Sequence, residues 1–194
     1  MAGLEALVQL FGPPAVRAAA AGGGWAEVED YVGSALPGDF KAFLDAYGTG
    51  LICGELVVFH PCGSSPLLER MRGIHESFGA SWRRDPAQYP FRFHPAPGGL
   101  ISWGYDYSGD EHFFWPCDPD PDHWRIVTNI NGADPAVFDG PFTDFVLTFV
   151  GSLRTVDPNH GIDPDALEFL EPEDLKELRD RGEIGPVDPS FEPF

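Results

Sequence analysis

His60, Cys62, Cys53, Cys117 and His123 have the side chains that hold zinc, and Cys62 beside His60 has the types of a thiol nucleophile and its base. Structural zinc sites pair their ligands closely, as in Cys-x2-Cys with a second pair downstream, and no such pairing occurs here. No nucleophile elbow surrounds Cys62. Gly22-Gly23-Gly24 is not followed by Lys-Ser/Thr, and no strand pattern precedes it, which argues against a phosphate loop. Asp118-x-Asp120-x-Asp122 imitates the opening of a calcium loop, yet prolines alternate with its acids and neither the glycine nor the late glutamate follows. Asp106, Asp110 and Glu111 offer carboxylate pairs, but an acid and a base need environments that push their pKa values apart. The expectation is a protein that is not an enzyme, with no catalytic residue, no metal, no cofactor and no small-molecule substrate.

The same carboxylates make better sense as a surface. Tyr105-Asp106-Tyr107-Ser108-Gly109-Asp110 and Asp118-Pro119-Asp120-Pro121-Asp122 are both turn clusters between strand patterns. Acids interleaved with aromatics suit a basic protein patch, where aromatics anchor and charges steer. The candidate partner-contact residues are therefore Tyr105, Asp106, Asp110, Asp118, Asp120 and Asp122. The competing reading of each is a solvated turn.

The elements that must position these turns are written in periodicity. Phe40, Phe43, Leu44 and Tyr47 have the spacing of one helix face, with Pro37 suited to the first turn and Gly48 to the left-handed position past its end. Glu55 to His60 reads as the strand that follows. Leu4, Leu7, Val8 and Phe11 make an earlier helix, Trp25 to Val32 a short one, and Pro66 to Phe78 another. Residues 79–98 look irregular, with a short strand at 91–94. Leu100–Trp103, Glu111–Trp115 and Trp124–Asn129 read as a β-meander. Phe142, Phe145, Val146, Phe149, Val150 and Leu153 form the longest apolar stripe, opened by Pro141. Asp163-Pro164 and Glu171-Pro172 each read as a helix cap, giving two short helices with Leu167 and Leu170 on the first and Leu175 and Leu178 on the second.

Trp25, Val28, Glu29, Gly33, Leu36-Pro37, Phe40-Lys41, Phe43, Tyr47-Gly48, Gly50 and a strand ending in Pro61, followed by Leu100-Ile101-Ser102-Trp103-Gly104 and Phe113-Phe114-Trp115, resemble the SUKH superfamily. That family holds the fungal Smi/Knr cell-wall regulators and many bacterial immunity proteins. The likeness spans about residues 25–153. It implies an α+β fold, a twisted and mainly antiparallel sheet flanked by helices, in which Trp25, Pro37, Phe40, Tyr47, Gly48, Gly50, Trp103 and Gly104 form the fold. It also implies an immunity protein that binds a secreted toxin domain, or alternatively an intracellular scaffold of the Smi/Knr type. On this reading residues 1–24 are an N-terminal helical extension with a glycine hinge, and 154–194 an acidic helical segment and tail.

Composition bounds the partner. Twelve Lys and Arg stand against 31 Asp and Glu, a formal charge of -19. Such a surface repels nucleic-acid phosphate and attracts a basic partner. A toxin that works on nucleic acid tends to be basic, so an acidic binder suits it. Three cysteines without framework spacing fit a reducing compartment. No apolar run approaches the ~18 residues of a membrane span, and no basic region precedes an apolar stretch near Met1. The expected location is cytoplasmic, with no membrane partner.

Overall fold

The computed structural model describes residues 2–14, 23–63, 65–130, 134–153 and 167–183. Its element order is α1 (Ala2–Phe11), α2 (Trp25–Val32), α3 (Gly38–Tyr47), β1 (Gly50–Ile52), β2 (Leu56–Val58), α4 (Leu67–Arg84), β3 (Ile101–Asp106), β4 (Glu111–Trp115), β5 (Arg125–Thr128), β6 (Ala136–Phe138), α5 (Phe142–Leu153), β7 (Phe169–Leu170) and α6 (Pro172–Asp180). The strands form one antiparallel sheet in the order β6-β5-β4-β3-β2-β1-β7. Helices lie on both faces, so the fold is α+β, with the sheet flanked by helices.

Strand alternation sorts side chains between the two faces. Trp103, His112, Phe114, Ile126 and Phe138 point to the face covered by α3, α5 and α1. Phe40 of α3 sits at the centre, its ring 5.0 Å from Phe142, 5.1 Å from Phe114 and 6.2 Å from Trp103. Val57, Tyr105, Glu111, Phe113 and Val127 point the other way, toward α4 and the loop after it, where Phe78 and Phe93 close a second, smaller cluster. Between Ser102 and Gly104 the β3–β4 register shifts, so Trp103 is the extra residue of a bulge. Gly104 then runs so close to β2 that a Cβ there would stand 2.5 Å from the Val57 carbonyl oxygen.

Several expectations change in detail. The strand expected over 55–60 is one arm of a β1–β2 hairpin, and Gly50-Leu51-Ile52, all buried, is the other. Pro37 stands just before α3 rather than inside its first turn. Gly48 has a positive φ of 79°, but its ψ of -159° places it outside the left-handed helical region. α4 runs to Arg84, well beyond Phe78, and the strand expected at 91–94 is a single bridge between Phe93 and Leu100. Leu167 and Leu170 are not helical: Phe169-Leu170 pairs with Leu51 and Ile52, because β1 would otherwise leave its outer edge open. The Asp163-Pro164 cap, the alanine-rich stretch 15–21 and the chain end beyond 183 lie outside the described residues. Both terminal segments feed the main core: Leu7 of α1 is 0% exposed and Leu175 of α6 is 5% exposed.

Candidate functional site

The β3–β4 hairpin is built by Asp106. Its Oδ1 accepts from the Ser108 N–H at 3.0 Å, the Asp110 N–H at 3.2 Å and the Ser108 hydroxyl, and its Oδ2 lies 3.1 Å from His112 Nε2. Burial alone would raise this carboxyl, but the hydrogen bonds from His112 and Ser108 outweigh it and hold it below the usual carboxylate range. Asp106 is buried, at the end of β3 rather than in the turn. Of the expected contact set, it is spent on the fold.

Tyr105 is likewise a β3 residue, half-buried on the α4 face. Arg70 of α4 places its guanidinium 4.3 Å from the Tyr105 ring centre and 5.0 Å from that of Phe59, and pairs with Glu111. Burial raises the Tyr105 hydroxyl to about 12, and raises the Glu111 carboxyl to about 7 against the pull of Arg70 and the Ser102 hydroxyl. The aromatic that the hairpin does present is Tyr107, 37% exposed, and its neighbour Asp110 is raised by burial and by the charge on Asp106.

Asp118, Asp120 and Asp122 form a relay. Asp118 Oδ1 accepts from the Asp120 N–H at 2.8 Å, Asp120 Oδ1 from the Asp122 N–H at 3.1 Å, and Asp122 Oδ1 from the Gly38 N–H at 2.6 Å. Asp122 thereby satisfies a backbone donor at the start of α3, a structural duty. The carboxylates of Asp118 and Asp120 stay about half exposed and lie 3.9 Å from His123 Nδ1. The two acidic turns sit at opposite ends of β4, about 13 Å apart along five residues of strand. They do not merge into one patch.

His60 and His75 are tied into the fold by hydrogen bonds. His60 Nδ1 accepts from the Cys62 backbone N–H at 3.0 Å, so its proton is on Nε2, 3.3 Å from Asp45 Oδ1, which also accepts from the Trp25 indole at 2.8 Å. The Cys62 thiol turns to the Gly23 carbonyl at 3.6 Å. His75 Nε2 accepts from the Ser102 N–H at 2.9 Å beside the bulge, and its Nδ1 lies 3.0 Å from the Tyr31 hydroxyl. Burial, aided by nearby His94, lowers His75 to about 3, so the ring stays neutral. Among the described residues, no group of three His, Cys, Asp or Glu side chains is placed to hold a metal ion. No helix there is long and apolar enough to cross a membrane.

Sequence reasoning passed over Arg70, His75 and His112, and left Tyr107 out of the contact set although it stands in the first turn cluster. A signal existed for two of them. His75 stands four residues after Met71 and Arg70 three after Leu67, which puts both on or beside the buried stripe of α4. Comparison with family models, curated proteins and solved structures finds no match.

Proposed function

We propose that the chain is a non-enzymatic binding module of the immunity type, which neutralises a basic toxin domain by occupying its active site or substrate channel. The observation that carries this reading is a formal charge of -19 combined with backbone-fixed acids, Asp118 and Asp120, and the Tyr107/Asp110 hairpin left at the surface. Acids held by local hydrogen bonds lose little freedom on binding, so their field steers a cationic partner at low entropic cost. The resemblance to immunity proteins supplies the partner class; charge supplies its sign. The chain acts in the cytoplasm of the cell that must be protected.

The experiment is affinity capture with the full chain at low and high salt, followed by mass spectrometry. One dominant basic protein with a toxin-type domain, released at high salt, is the expected result. Several weak housekeeping partners would favour the Smi/Knr-type scaffold instead. A partner held equally at both salts would contradict the electrostatic mechanism.

A further inference from the structure

The outer edge of the sheet is exposed at β6. Ala136 and Val137 are exposed, Val137 at 44%, and among the described residues β6 has one neighbour, β5. An edge strand presents unpaired N–H and C=O groups that template another strand. Phe138 turns inward, 5.6 Å from the Phe145 ring, which anchors the strand to α5. Val137 pairs across from Val127, a residue of the smaller cluster, and its own side chain stands exposed on that face.

The ends of this ledge are charged. Asp134 precedes Pro135 before the strand and Asp139 precedes Gly140-Pro141 after it; both acids are exposed. Arg125 of β5 pairs with Asp139 at 3.1 Å, and Asp144 lies exposed in the first turn of α5. Among these described residues, the balance is three acids to one base. Two copies of this chain meeting antiparallel at β6 would bring Asp134 of each against Asp139 of the other at both ends, on molecules already at -19. The edge therefore rejects its own copy and suits a cation.

We propose that β6 is a docking edge for an extended segment of a basic partner, which adds an eighth strand with an apolar residue beside Val137 and Lys or Arg near Asp134 and Asp139. Those acids are five positions apart, about 16 Å in extended chain, so the partner's basic residues are spaced alike. The inference rests on the basic-partner reading above and gives it a surface.

The test uses the full chain, isotope-labelled, and the peptide acetyl-Lys-Thr-Thr-Val-Thr-Lys-amide, with a twin carrying Glu for Lys. The basic peptide is expected to shift the amides of residues 136–138 and slow their exchange, and the acidic twin is not. Val137→Asp, at an exposed position that leaves the fold intact by circular dichroism, should weaken the peptide about tenfold or more. No shift at about 1 mM peptide, or shifts confined to residues 107–110 or 118–123, would overturn the proposal. So would concentration-dependent dimers that protect 136–138 without peptide. A captured basic toxin domain that binds without protecting 136–138 removes the edge and leaves the binding reading standing. Peptide bound at β6 with no toxin partner captured does the reverse.

Discussion

At the residue scale, the fold turns on groups that are buried and chemically committed. Trp103 is 0% exposed among Phe40, Phe142 and Phe145, and its indole N–H has no hydrogen-bond partner among the described residues. Trp103→Ala should cost about 3–5 kcal/mol in denaturant unfolding, and Trp103→Phe less, because it removes an unpaired donor together with apolar area. Two opposed titrations sit on the α4 face. His75, lowered to about 3 from an ordinary 6.5, binds fewer protons folded than unfolded, so its contribution is lost as pH falls through that window. Glu111, raised to about 7 from 4.5, binds more protons folded, so its contribution is lost as pH rises through its window. Each has a slope of about 1.4 kcal/mol per pH unit, and together they cancel between 4.5 and 6.5. The stability of the native chain minus that of Glu111→Gln should fall by about that slope from pH 4.5 to 7. A constant difference across urea titrations would contradict the buried carboxyl. The bulge gives Trp103 and Gly104 their places in the fold: Trp fills the centre while Gly admits the β2 backbone. Tyr105 and Asp106 looked like turn residues because Tyr-Asp-Tyr-Ser-Gly-Asp has turn composition. A two-residue longer strand put one under Arg70 and the other under His112.

At the element scale, the acidic turn before β5 divides its labour. Asp122→Ala removes an acceptor at the start of α3 and should cost about 1 kcal/mol in thermal or urea unfolding. Asp118→Ala with Asp120→Ala should slow association with a basic partner more than Asp122→Ala does, as read by stopped-flow mixing. Five helices were legible from apolar spacing: α1, α2, α3, α5 and α6 lie where the sequence put them. The short strands were not. Gly50-Leu51-Ile52 is buried on both sides and shows no alternation, and Ala136-Val137-Phe138 is a three-residue strand in the five residues between Pro135 and Pro141. Leu167 and Leu170 have helical spacing, but the open edge of β1 offered Phe169-Leu170 backbone partners and won. The site was less legible than the fold, because exposure of a turn side chain depends on which neighbour caps it.

At the scale of the whole molecule, charge is the dominant property. Self-repulsion at -19 should make the melting temperature rise with added NaCl, a trend that a neutral surface would not show. The same field gives binding its sign and its salt dependence. The most direct measurement is to mix the full chain one-to-one with the captured basic domain and follow that domain's own activity across a salt series. The account predicts stoichiometric inhibition at low salt that relaxes steeply as salt rises. Full activity in the complex, or inhibition indifferent to salt, would contradict it.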